Sequence, residues 1–215
     1  MGRSGEAPIS ATDTVVAVVD RALTAMLTHS LAMALKRRAR DLLWSLNEPK
    51  VKNPPIPSHV RSMLFVCLGN ICRSPFAAHI ASHQLAVNDA AGIRCDSAGI
   101  KTTQGGRSPR EACEVAAEYG VSLVHHRPQM LTRSLVDAFD MVVVMESSQL
   151  QELRISYPDA ADRLFLLSFF EVGLAGYERY NIPDPFSQPR TAYEACYRRI
   201  DGAVSRLIAA VVPSS

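Results

Sequence analysis

At 215 residues, 47% apolar and 20% charged, the chain has the balance of a soluble globular protein, with length for one well-buried domain and some to spare. The net charge of +2 is unevenly spread: residues 1–60 hold eight Lys/Arg against five Asp/Glu, and residues 61–215 fifteen against sixteen. The larger part therefore has no broad basic surface, which excludes nucleic acid as its expected partner. Five cysteines (Cys67, Cys72, Cys95, Cys113, Cys196) without a C-x-x-C pair argue against a disulfide framework and a zinc site, and for a reducing, cytoplasmic setting.

The opening "MGRSGEAPIS" has no apolar run behind a basic start, so no secretory signal is expected, and Glu6 stands where myristoylation wants Ser or Thr. Residues 14–46 read as one long helix or two shorter ones, with Asp20, Thr24 and Thr28 forming a polar stripe. The uncharged run Ala22–Leu35 is followed by "KRRAR", a pattern that suits an anionic membrane surface. Fourteen residues are too few to span a bilayer, and packing on the domain or on a second copy of the chain, as a homodimer, is favoured over membrane contact. "NPPIPS" (53–58) then breaks any helix or inner strand. The expected organisation is a helical extension over 1–52, a Pro-rich linker over 53–60, and a domain over 61–215.

Within that domain, "MLFVC" (63–67), "IRCDS" (93–97), "MVVVM" (141–145) and "LFLLS" (164–168) have the branched, apolar character of buried parallel strands. Helices lie between them. One starts at Pro75; another is capped by Ser108, with Pro109 in its first turn, and closed by Gly120. A third is capped by Ser147 or Ser148, and the last runs from about Thr191 to Val211. The alternation implies an α/β fold of three layers, a four-stranded parallel sheet with helices on both faces.

"VCLGNICRSP" (66–75) carries the chemistry. Cys67 ends the first strand, where parallel α/β sheets carry their ligand sites. Gly69 permits a tight turn, and Asn70 tolerates a left-handed backbone and can lock the loop with its side chain. Such a loop turns successive N–H groups inward at a helix N-terminus, making an anion cradle that would also stabilise negative charge on the Cys67 sulfur. Arg73 is placed to clamp two phosphate oxygens. A bare C-x5-R arises by chance about 0.4 times in this composition, so it is the strand, Gly-Asn, Ser74 and helix-starting Pro75 around it that discriminate.

Those residues resemble the signature of the low-molecular-weight protein-tyrosine phosphatases. The resemblance covers residues 61–212, through "DSAG" (96–99), "GVSLVHH" (120–126), "FDMVVVME" (139–146) and "IPDPF" (182–186), and is nearest the bacterial branch associated with exopolysaccharide synthesis and its tyrosine kinases. It implies a metal-independent, cofactor-free hydrolase acting on a tyrosine-phosphorylated protein, such as a tyrosine kinase. In that mechanism Cys67 takes the phosphoryl group as a cysteinyl-phosphate, Arg73 stabilises its equatorial oxygens, and Asp184 acts as general acid and then as base. Asp184 lies between Pro183 and Pro185, a stiff setting for a group that must be placed accurately. The resemblance also assigns Leu68, Gly69, Asn70, Ile71, Cys72 and Ser74 to the phosphate-binding loop. Ser74 would hydrogen-bond the thiolate, Ser97 and His126 would brace the loop, Phe186 would form a substrate wall, and Cys72 would pair reversibly with Cys67 under oxidation.

Departures from the family pattern bear on substrate. Ser187 stands where animal members have a second tyrosine, and the variable loop "TTQGGR" (102–107) has no aromatic residue, which leaves phosphoarginine as a second substrate to consider. A thioredoxin-coupled arsenate reductase would need two further cysteines several residues apart downstream, and residues 135–150 have none. A non-catalytic phosphoprotein-binding module would be expected to lack Cys67, Arg73 or Asp184, and all three are present.

Overall fold

The computed structural model describes residues 51–87, 92–103 and 105–212, with isolated positions at 35, 38, 42 and 90. The chain falls into two compact units, Met1–Glu48 and Pro49–Ser215. In the first, Leu35, Arg38 and Leu42 are helical. The other expectations for residues 1–50 (the helix over 14–46, its polar stripe, and a dimerising or lipid-facing surface) lie outside the described residues. No helix among the described residues is long and apolar enough to cross a membrane.

The second unit is built on four parallel strands in the order β2-β1-β3-β4: β1 (Ser62–Cys67), β2 (Arg94–Gly99), β3 (Met141–Val144) and β4 (Leu164–Leu166). β1 is central and buried along its whole length, as its unbroken apolar run requires. Alternate residues serve opposite faces. Met63, Phe65, Cys67, Met141, Val143 and Phe165 share one core with Phe76 and Ile80 of α1 (Arg73–Val87), Val115 of α2 (Arg110–Ala117), and Tyr197 and Leu207 of the last helix, α6 (Arg190–Val211). On the other side, α4 (Ser147–Ser156) lies against β3 and β4 and buries Leu150 and Leu153. The three-layer α/β reading therefore holds.

The helix boundaries correct three expectations. α1 begins at Arg73, two residues before Pro75. Ser108 does not cap α2: Pro109 occupies the N-cap, and the Ser108 hydroxyl is buried without a partner. Neither Ser147 nor Ser148 caps α4, whose N-cap is Glu146; Ser147 Oγ instead donates to Asn181 Oδ1 at 3.2 Å. The short helices α3 (Arg133–Asp137) and α5 (Gly176–Tyr180) are too brief to show a helical period in sequence.

The Pro-rich stretch is fastened to the sheet. The Asn53 side chain accepts from Leu166 N at 2.7 Å and donates to Leu166 O at 3.1 Å, so its amide stands in for a neighbouring strand at the open edge of β4. Arg154 Nη2 donates to Lys52 O at 3.1 Å, and Ile56 packs against the core.

Candidate active site

The loop from Leu68 to Cys72 leaves β1 and enters α1, and its shape is set from both sides. Asn70 has φ +54°, the left-handed conformation that asparagine tolerates. Behind it, Gly99 at the end of β2 is packed so closely that a Cβ would lie 2.9 Å from both Asn70 N and Leu68 O. Ile100 N and Lys101 N donate to Cys67 O and Leu68 O at 3.0 and 2.8 Å. With those carbonyls turned outward to β2, the loop's N–H groups are left for the interior: Asn70 N donates to Cys67 Sγ at 3.3 Å.

Asn70 is wholly buried and makes the central joint. Its Nδ2 donates to Ser74 Oγ and Ser97 Oγ, both at 2.9 Å, and its Oδ1 accepts from Gln129 N at 2.9 Å. Its carbonyl accepts from His126 Nε2 at 2.7 Å, which fixes the proton on that nitrogen. Ser74 Oγ lies 3.0 Å from Cys67 Sγ, a hydroxyl able to donate to a thiolate. Burial lowers the His126 pKa most; the Asn70 carbonyl opposes this, and His79 adds to the lowering.

Arg73 is 1% exposed yet charged. Burial disfavours its charge, but the surrounding Cys67, Asp184 and Glu146 outweigh that and raise its pKa. Nη1 is bound by Glu146 and by Ile182 O at 2.9 Å, and Nη2 by Asp184 Oδ2 at 2.6 Å. Nε is buried with no partner among the described residues. Nε and Nη2 share one edge of the guanidinium, the edge that takes an oxyanion in two parallel hydrogen bonds. One donor on that edge is open and the other is held by a carboxylate.

The segment carrying Asp184 is anchored on its N-terminal side. Ile182 N donates to Met145 O at 2.9 Å. Arg199 holds Asn181 O and Glu178 O at 3.1 and 2.8 Å while paired with both carboxylate oxygens of Glu171. Asp184 Oδ1 accepts from Phe186 N at 3.2 Å. Phe186, 52% exposed, and Leu68, 43% exposed, are apolar side chains at the surface of the site. Cys72 is buried, and burial, helped by Asp184 and Cys67, pushes its thiol far up and keeps it protonated. Tyr197 Oη donates to Cys72 O at 3.1 Å.

The structure thus brings together two hydrogen-bonded groups, Cys67, Ser74, Asn70, Ser97 and His126 in one and Arg73, Asp184 and Glu146 in the other, joined in sequence at Arg73–Ser74. Sequence reasoning missed Glu146, Gln129 and Gly99. The last residues of "DSAG" and "FDMVVVME" were the available signal for Gly99 and Glu146. No group of three or more His, Cys, Asp or Glu among the described residues is placed to hold a metal ion.

Residues 62–214 match the family model described as low molecular weight phosphotyrosine protein phosphatase. The chain belongs to that family. It is 34% identical over 145 residues to the probable low molecular weight protein-tyrosine-phosphatase EpsP of Ralstonia nicotianae, covering 67% of this chain and 92% of that protein. The crystal structure of the Erwinia amylovora tyrosine phosphatase AmsI superposes with a TM-score of 0.61 at 31% identity, over 69% of this chain and 91% of that one. A protein-arginine-phosphatase of Geobacillus stearothermophilus is 31% identical over 67% of this chain and 92% of its own length. As a member of this phosphatase family the protein is a phosphotyrosine hydrolase working through a cysteinyl-phosphate, and the extension before residue 62 lies outside the matched region.

Proposed function

We propose that Cys67, Arg73 and Asp184 carry the reaction. The Cys67 sulfur attacks phosphorus while the P–O bond to the tyrosine breaks, and Asp184 gives its proton to the departing phenolate. Water then attacks phosphorus, Asp184 takes the proton, and the S–P bond breaks to return Cys67 and inorganic phosphate. Ser74 stabilises the thiolate at attack and at departure, and Asn70, Ser97 and His126 brace the loop.

The observation that carries this reading is the Arg73 edge. Its Nε is a buried donor without an acceptor and its Nη2 is lent to Asp184. A phosphate dianion taking both donors supplies the missing acceptor and frees Asp184 to act as acid. The apolar Leu68 and Phe186 favour an aryl phosphate over the guanidinium-borne phosphate that the arginine phosphatase's name indicates.

The experiment pairs substrates and a variant. A phosphotyrosine peptide should turn over much faster than a phosphoarginine peptide. Asp184→Ala should lose more kcat on phosphotyrosine than on p-nitrophenyl phosphate, whose better leaving group needs the acid less. Equal losses would remove Asp184 from the acid role, and preference for phosphoarginine would overturn the substrate assignment.

We place the physiological substrate in a tyrosine kinase of exopolysaccharide synthesis, in the cytoplasm. All five cysteines are free, which agrees with a reducing setting. Cys72 would capture a Cys67 sulfenic acid as a disulfide with loss of water. The extension serves assembly as a homodimer rather than membrane contact; comparing the oligomeric state of the full chain with that of residues 49–215 tests this.

A further inference from the structure

Beyond the catalytic residues, the loop has a second polar neighbourhood. A cavity of about 200 Å³ is lined by His79, Ser82, Asp96, His126, Arg127 and Gln129, among others, and by none of Cys67, Arg73 or Asp184. Its lining is predominantly polar, unlike an apolar pocket for a hydrophobic ligand. It draws on three elements: His79 from α1, Asp96 from β2, and His126, Arg127 and Gln129 from the segment after α2.

Its donors outnumber its free acceptors. One guanidinium and two imidazoles face a single carboxylate, and that carboxylate is already engaged, its Oδ1 accepting from Gln129 Nε2 at 2.9 Å and Ser97 N at 2.7 Å. Among the described residues, His79 makes no side-chain hydrogen bond, and Arg127 reaches only the carbonyl of its neighbour His126, at 3.1 Å. His79 and Arg127 both oppose a positive charge on His126, which Asp96 and the Asn70 carbonyl favour. With Nε2–H committed to Asn70 O, a proton added at Nδ1 makes His126 a donor on two sides. A guanidinium and two imidazoles converging on an open polar cavity are the recognition chemistry of a small oxyanion.

The cavity is also wired to the nucleophile. His126 Nε2 holds Asn70 O, Gln129 N holds Asn70 Oδ1, Asn70 Nδ2 holds Ser74 Oγ, and Ser74 Oγ meets Cys67 Sγ. A charge bound against His126 and Gln129 therefore acts on residues two hydrogen bonds from the group that touches the sulfur.

We propose that this cavity is a second, regulatory oxyanion site, taking a small phosphate-bearing anion between His79, His126 and Arg127 and modulating catalysis through Asn70. Inorganic phosphate, the reaction's own product, has the size and charge to enter, and its hydroxyl in the monohydrogen form can donate to Asp96. Only the readout of the test depends on the phosphatase assignment.

The experiment is initial-rate kinetics on p-nitrophenyl phosphate against inorganic phosphate at constant ionic strength, with wild type and His79→Gln/Arg127→Gln. Both substituted side chains are exposed, so folding and uninhibited turnover should stay within about twofold of wild type. Phosphate at the catalytic loop competes with substrate and leaves kcat at saturating substrate untouched. Phosphate in the second site changes that kcat, by at least about twofold. The expected result is a kcat effect in wild type that disappears in the double variant while the competitive constant stays the same. Purely competitive behaviour in wild type, or a kcat effect that persists in the variant, would overturn the second site. Absence of any turnover would count against the phosphatase reading instead.

Discussion

Replacing Asn70 by alanine removes more than its small side chain suggests. The residue is fully buried and sits at φ +54°, and its amide joins Ser74, Ser97 and the backbone of Gln129. Ser74 keeps an acceptor in Ala98 O at 3.2 Å, so its loss is partial. Gln129 N–H, half-buried, has no such alternative among the described residues, and a donor orphaned there costs about 1–3 kcal/mol. Alanine in the left-handed region adds about 1–2 kcal/mol. Asn70→Ala should therefore destabilise the catalytic unit by about 2–5 kcal/mol and lower its Tm by about 5–15 °C. Asn70→Gly separates the two causes, since glycine loses the same hydrogen bonds without the backbone strain, and should recover about 1–2 kcal/mol. Urea denaturation followed by circular dichroism reads both differences. Alanine and glycine variants of equal stability, or an alanine variant within about 1 kcal/mol of wild type, would refute the joint described here.

Glu146→Ala removes a charged acceptor from Arg73 Nη1 and leaves that nitrogen only Ile182 O; a charge-assisted hydrogen bond of about 1.5–3 kcal/mol corresponds to roughly a 10- to 100-fold fall in kcat/KM, and Glu146→Gln, which keeps an acceptor, should lose less. Asn53→Ala frees Leu166 N and O at the edge of β4 and should cost about 1–3 kcal/mol by urea denaturation, with kcat unchanged. His126 has its folded pKa depressed below the ordinary 6.5, chiefly by burial. Its contribution to stability is therefore complete above pH 6.5 and is lost as pH falls toward the folded value. His126→Gln should flatten that acid-side loss in melting temperature measured from pH 7 downward; an unchanged slope would contradict the assignment.

What could be read in advance follows from the kind of signal each feature leaves. β1, β3 and β4 were legible because burial on both faces demands continuous apolar runs, and "VCLGNICRSP" because glycine, asparagine and proline mark a turn into a helix. The helix cap at Ser147 was misplaced because a serine at a helix start has other uses: its hydroxyl goes to Asn181, a partner 34 residues away. Glu146 escaped notice for the same reason, as a single acidic residue after a strand gains its part only when β3 lies beside β1 and Arg73 reaches across. The prolines of "NPPIPS" correctly forbade a helix or inner strand. They concealed that one asparagine amide can satisfy a strand edge without being a strand.

The central claim is a covalent, metal-independent displacement at Cys67, and the most direct measurement is turnover of p-nitrophenyl phosphate by wild type and Cys67→Ser, each with and without chelator. Wild type should be equally active in both conditions, and Cys67→Ser should fall by roughly 10³-fold or more while remaining folded. Activity that survives in Cys67→Ser, or that chelator abolishes in wild type, would contradict the mechanism.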